Sequence, residues 1–152
     1  MLVVRDHDRF ALIALAKFQR PQDKHLIRRA LVSNNSDLQE AGLRAVRYFP
    51  DPEFFPLLRQ IHEREIREEK WTINSLIREL YTATVQYKSE ESRELIESTL
   101  GEAKGSTLKS HSQAIWLALT NYPDVRYEGL IGQLGLSKAE KTEVRIWVNV
   151  AD

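Results

Sequence analysis

Apolar residues return at spacings of three and four along most of the chain, the mark of helices that each bury one face. Phe10, Ile13, Ala14 and Phe18 predict a first helix over about residues 6–18. Pro21 stops it, because proline cannot continue the backbone hydrogen-bond ladder. Leu26, Ile27, Ala30 and Leu31 share a face of a second helix. Ser33-Asn34-Asn35-Ser36 reads as a turn, and Ser36 with Gln39 has the form of a capping box. It opens a third helix with Leu38, Ala41, Gly42, Ala45, Val46 and Phe49. Pro50-Asp51-Pro52 closes that helix and sets Pro52 in the first turn of a fourth, which carries Phe54, Leu57, Leu58 and Ile61. The fourth helix runs on into a charged stretch, His62 to Lys70, whose opposite charges three or four apart suit an exposed helix end.

A fifth helix is expected over roughly Thr72 to Tyr87, with Ile73, Leu76, Ile77, Leu80, Tyr81 and Thr84 inward. Lys88 to Glu91 forms the next corner, and a sixth helix carries Leu95, Ile96, Thr99 and Leu100. Two glycines within Gly101 to Ser106 predict the loosest loop. A seventh helix with Ala114, Ile115, Leu117, Ala118 and Leu119 turns at Asn121-Tyr122-Pro123-Asp124 into an eighth with Leu130, Ile131 and Leu134, and Gly135 suits its end. In the tail, Val144, Ile146, Val148 and Val150 alternate as in a strand. Ser137 with Glu140 has a capping-box pattern, however, and a lone strand would have no partner. A ninth helix, covering the end of the stack, is the expectation.

The helices repeat in pairs. Ala14, Ala45, Ala83 and Ala118 fall in steps of 31, 38 and 35 residues, and Phe18, Phe49, Tyr87 and Tyr122 follow four positions on. Leu26, Leu57, Leu95 and Leu130, with Ile27, Leu58, Ile96 and Ile131 beside them, keep the same steps. A small residue lets two helices approach, an aromatic plugs the corner, and a branched pair packs between hairpins. Each hairpin then leaves an apolar face that only the next can bury.

On the residues Ala45-Val46, Pro50-Asp51-Pro52 and Pro56-Leu57-Leu58, echoed at Tyr122-Pro123-Asp124 and Leu130-Ile131, the chain resembles the HEAT family of helical repeats and the related phycobilisome-lyase-type short repeats. The resemblance covers roughly residues 6–134. It implies an all-α fold, a right-handed α-α superhelix (solenoid) of about four helical hairpins plus a C-terminal helix. Residues 1–152 would form one such domain, either whole or as a segment of a longer protein. The hairpins around Phe18 and Tyr87 lack the Pro-Asp corner, and the uneven steps imply insertions.

Charge narrows the partners. The 22 Lys and Arg balance the 22 Asp and Glu, so nothing draws the whole molecule to nucleic acid or an anionic membrane. The chain has no cysteine, which excludes disulfides, thiolate catalysis and cysteine-ligated metal sites. No apolar run approaches the roughly 18 to 20 residues of a spanning helix, and the first residues lack the apolar core of a signal peptide. A cytoplasmic location and no membrane partner are the default expectations.

Specific chemistry is thinly signalled. Trp116 shares its column with Leu12, Leu43 and Tyr81, which makes it a core position, while Trp71 and Trp147 read as packing or interface residues. His62-Glu63 is a lone His-Glu pair. HEAT-like iron hydroxylases use several such pairs, and one cannot complete a metal shell. His7, His25 and His111 are scattered, so neither a metal nor a cofactor is expected. Glu63, Glu65, Glu68 and Glu69 read as a solvated acidic run. HEAT-like DNA glycosylases work in a basic groove, and Lys17, Arg20, Lys24, Arg28, Arg29, Arg44, Arg47 and Arg59 do cluster in the first two hairpins. No glycosylase motif matches residue by residue, and a solvated face explains the same charges.

The family implies that second helices line the concave side. The residues flanking the Leu-Ile pair would then form a ridge: Lys24, Phe55, Arg93 and Glu128 before it, and Arg28, Arg59, Glu97 and Gly132 after it. That ridge is positive near the N-terminal end and negative near the C-terminal end, which suits a protein segment of mixed charge. The expected function is a non-enzymatic scaffold for protein–protein contact. The alternative is nucleic-acid binding or HEAT-like DNA glycosylase-type activity on a basic groove.

Overall fold

The structure is a computed structural model that describes residues 6–68 and 74–150. It is all-helical, with no strand among the described residues. The α-helices are α1 (Asp6–Ala16), α2 (Lys24–Leu31), α3 (Ser36–Tyr48), α4 (Phe55–Arg67), α5 (Ser75–Val85), α6 (Glu90–Glu102), α7 (Gly105–Asn121) and α8 (Lys138–Val150). Short 3-10 turns at Pro21–Asp23 and Pro52–Phe54 lead into α2 and α4. A longer 3-10 segment, Val125–Gln133, stands where an eighth α-helix was expected.

Two rows follow from the packing. In the first, α1 lies on α3, α3 on α5 and α5 on α7. In the second, α4 lies on α6 and α6 on the Val125–Gln133 segment, while α8 covers that segment and α7. Small residues draw α2 and α3 together: a Cβ on Gly42 would stand 3.0 Å from the Ala30 Cβ and 3.0 Å from the Leu31 backbone nitrogen. Glycine permits that approach where any side chain would crowd backbone atoms.

The repeat columns hold where a helix has neighbours on both sides. Ala45, Ala83 and Ala118 are all buried, and Ile27, Leu58, Ile96 and Ile131 are buried in every copy. The first copy departs. Ala14 is exposed, Phe10 is 69% exposed and Phe18 72%, while Leu12 and Ala16 turn inward instead. Among the described residues no helix precedes α1, so the face that α3 and α5 bury is left bare on α1.

Caps set several boundaries away from their expected places. Asn35, rather than Ser36, caps α3, its Oδ1 accepting the Leu38 amide at 3.0 Å. Gln39 turns inward instead and donates to the Leu31 carbonyl at 2.7 Å. Asn74 caps α5, so that helix begins at Ser75; the earlier start at Thr72, with Ile73 and Trp71, lies outside the described residues. The loop expected over residues 101–106 shrinks to Ala103 and Lys104, because α6 continues through Gly101 and Glu102 and α7 begins at Gly105. The tail is helical. Ser137 and Glu140 exchange backbone-to-side-chain bonds of 3.2 Å each, and Val144 and Val148, four apart, are the buried pair. The alternation of valine and isoleucine that resembled a strand leaves Ile146 and Val150 on the outside.

Two apolar clusters form the core, and α5 serves both. Leu80 and Ala83 join the cluster of α1 to α4, while Ile77, Tyr81 and Val85 join that of α6, α7, α8 and the Val125–Gln133 segment.

Candidate functional site

The sequence-expected ridge starts at the second helices, and most of its charges are already matched within the chain. Lys24 on α2 meets Asp51 at 2.8 Å and Glu53 at 3.6 Å, and Arg28 pairs with Glu53, both acids lying at the next corner. Arg59 on α4 approaches Glu91 on α6 at 4.0 Å, and Arg126 approaches Glu90 at the same distance. Arg93 is held by Glu90 at 2.9 Å and Glu97 at 2.7 Å, which raises its pKa. Glu128 and Gly132 are exposed. Phe55 departs from the expectation. Only 5% of it is exposed, and its ring packs edge-on against Tyr87 with centroids 5.1 Å apart, so it fills the interior of the stack.

The corners use one device in two sequences. The Asp51 and Asp124 carboxylates accept the amides of Glu53 (2.9 Å) and Arg126 (3.0 Å), opening the next turn of helix. The Tyr87 hydroxyl donates to the Asp51 carbonyl at 2.7 Å and ties one hairpin's corner to the next. Burial raises the Tyr87 pKa, and that of Tyr127 to about 12, so both hydroxyls keep their protons.

The outer face of the first-helix row carries a different constellation, absent from the expected site. Arg47 of α3 donates to the Tyr122 hydroxyl at 2.6 Å, across α5 to the end of α7. The Arg47 guanidinium also lies 5.8 Å from the Tyr48 ring centroid and 5.6 Å from that of Tyr122, and Lys17 covers Tyr48 at 4.9 Å. Glu79 of α5 pairs with Arg44 at 3.2 Å and with Arg47 at 3.6 Å, and Arg44 also takes Glu40 at 3.0 Å. Burial alone would lower the Arg47 pKa, but Tyr122 and Glu79 outweigh it and the net shift is upward. Arg47, Arg78, Glu79, Thr82, Asn121 and Tyr122 line an open cavity of about 470 Å³ here.

Arg47 and Tyr122 were visible in the sequence, one as part of a basic cluster and the other as a corner plug. What the sequence lacked was their meeting across 75 residues. A usable signal was present on the outer positions of α3, where Arg44 and Arg47 stand three apart beside the buried Ala45-Val46.

Two buried polar pairs lie side by side in the middle of the stack. His62 Nε2 donates to Thr84 Oγ1 at 2.9 Å, and the Thr84 hydroxyl passes its own hydrogen to the Leu80 carbonyl at 2.7 Å. The Tyr81 hydroxyl shares a 2.6 Å hydrogen bond with His111 Nδ1, and its ring meets both imidazoles edge-on. Neither histidine is exposed. Burial, reinforced by His111 and Arg59, lowers the His62 pKa to about 3, and burial lowers that of His111 to about 4 against an opposing pull from the Glu65 backbone. Both rings are therefore neutral near pH 7.

Glu65 and His62 correct the sequence expectation of a solvated charged tail on α4. Glu65 is buried, with Arg64 bridging its Oε1 at 2.9 Å to Gln39 Oε1 at 2.7 Å. Trp116 is half-buried, whereas Leu43 and Tyr81, its equivalents in the repeat, are fully buried, and Trp147 is half-exposed on α8. Among the described residues no three His, Asp or Glu side chains converge as a metal site would need, and no helix is long and apolar enough to cross a membrane. No family model, no curated protein and no solved structure matches the chain.

Proposed function

We propose that the chain is a HEAT-like scaffold, a right-handed superhelix of about four hairpins closed by α8, which binds a segment of another protein and carries out no chemistry of its own. The observation that carries this is the two-row stacking, first helix on first helix from α1 to α7 and second on second from α4 through α6 to the Val125–Gln133 segment. Such rows offer long outer faces built from equivalent positions, the kind of surface helical repeats use for extended partners. We assign the concave side to the first helices rather than the second. What supports this is the Arg47–Tyr122 bond, which brings side chains from α3 and the end of α7 together on that face.

Charge argues against the nucleic-acid alternative. Lys24 meets Asp51, Arg28 meets Glu53, Arg44 meets Glu40 and Glu79, and Arg59 meets Glu91. The sign of the surface therefore alternates over less than a Debye length of about 8–10 Å. A phosphate backbone needs one sign throughout.

The test is to pan a displayed random-peptide library against the chain and to measure recovered peptides by fluorescence anisotropy beside duplex DNA across a salt series. Enriched peptides that bind saturably, with weak DNA binding, are the expected outcome. If no peptide is enriched, or DNA binds tightly with a steep salt slope, the scaffold proposal is wrong.

A further inference from the structure

We infer that the groove across the outer faces of α3, α5 and α7 seats an extended, acidic peptide segment of a partner protein, with Arg78 as its anchoring cation. This rests on the scaffold reading and names the partner's chemistry. The second-helix face and the groove differ in how their cations are used. On the former, Lys24, Arg28, Arg59 and Arg93 each have an acid of this chain within 4.0 Å. In the groove, Glu79 is shared between Arg44 and Arg47. Arg78, exposed on α5 and lining the same cavity, has no ion pair among the described residues. One positive charge is left over for a carboxylate from outside.

The remaining walls suit a peptide. The Arg47 guanidinium is held by the Tyr122 hydroxyl and Glu79 beside the Tyr48 and Tyr122 rings, so its position is set before any ligand arrives. Asn121 spends its Nδ2 on the Leu117 carbonyl at 2.9 Å, which leaves its Oδ1 free to accept a peptide amide, and Thr82 adds a hydroxyl. Tyr122 supplies a flat apolar surface with its hydroxyl already engaged. A single uncompensated cation beside a carboxylate, Glu79, fits isolated Asp or Glu side chains on a neutral backbone. It does not fit a strand with a phosphate at every step, which Glu79 would repel.

The experiment repeats the panning on four forms of the chain: unaltered, Arg78→Glu, Arg78→Gln and Arg28→Glu. Arg78 is exposed and unpaired, so Arg78→Glu is expected to keep its helical circular dichroism and melting temperature; Arg78→Gln is the milder variant should it not. Peptides recovered by the unaltered chain should be enriched in Asp and Glu. Their affinity should fall by about tenfold or more in Arg78→Glu and Arg78→Gln and stay unchanged in Arg28→Glu. Enriched peptides without acidic excess, or acidic ones that bind all forms equally, would overturn the groove assignment while leaving the scaffold proposal standing. Single-stranded oligothymidylate binding that is lost in Arg78→Glu, with no peptide enriched, would overturn both.

Discussion

His62 and His111 show how much a single buried ring ties folding to pH. Each is neutral in the folded chain, its pKa lowered from 6.5 to about 3 and about 4 respectively. In the unfolded chain both bind a proton near the ordinary value of about 6.5. The folded state's advantage is therefore full above that value and shrinks as pH falls below it, because only the unfolded chain takes up protons there. Between about pH 7 and pH 5 the loss is about 2 kcal/mol per histidine. Urea unfolding at a series of pH values should show it, and His62→Gln should remove about half of the slope in that window; a flat profile for the unaltered chain would mean the rings titrate normally. The sequence contained the clue to this burial. Leu58, Ile61, His62 and Glu65 continue one stripe at i, i+3, i+4 and i+7, and all four are buried. A scan for apolar residues stops at Ile61, because the last two members of the stripe are polar, His62 being matched by Thr84 on α5 and Glu65 by its neighbour Arg64.

Among the elements, α2 and α3 form a sensitive pair, because their approach depends on Gly42. A Cβ there would stand 3.0 Å from both Ala30 Cβ and the Leu31 nitrogen and 3.2 Å from the Ala30 carbonyl carbon. Two of those three atoms are backbone and cannot swing away. Helix propensity alone would favour replacing this glycine by about 1 kcal/mol with alanine. Gly42→Val offers little of that gain and adds two methyls to the contact, so overpacking should dominate at about 1–3 kcal/mol of lost stability. A thermal melt measures the difference, and a valine variant as stable as the parent would mean the helices part without cost. Element existence was legible in the sequence nearly throughout, down to the Ser137 and Glu140 cap that decided between helix and strand for the tail. The ends were less so. Four polar residues in a row, Ser33 to Ser36, leave the choice of cap open, and it falls to Asn35 because Gln39 is drawn to the Leu31 carbonyl. The ridge charges were legible as a repeat, but their partners Glu53, Glu90 and Glu91 sit at corners, offset from the helical columns, and drop out of any column alignment.

At the scale of the whole molecule, the two apolar clusters raise the question of whether the halves fold apart. Stacked repeats contact only their neighbours, so a weak layer can let one end open while the other stays closed. Here α5 is the shared layer, with Leu80 and Ala83 in one cluster and Ile77, Tyr81 and Val85 in the other. The Arg47–Tyr122 bond spans the same helix, and the buried His62–Thr84 and Tyr81–His111 bonds tie α4 and α7 to α5. Each of these links favours unfolding as one unit. Leu80 is fully buried and faces only the N-terminal cluster. Leu80→Ala should remove about 2–5 kcal/mol by the cavity it leaves. If α5 couples the halves, native-state hydrogen exchange will then speed up in α7 as much as in α3, although α7 is remote from the substituted side chain's cluster. Exchange that quickens only in α1 to α4, with α7 and α8 unchanged, would show two independent units. The exposed face of α1 marks the limit of this coupling: among the described residues α1 has one neighbour in its row where α3 and α5 have two, Phe10 and Phe18 are uncovered, and α1 should be the first helix to lose protection in either form.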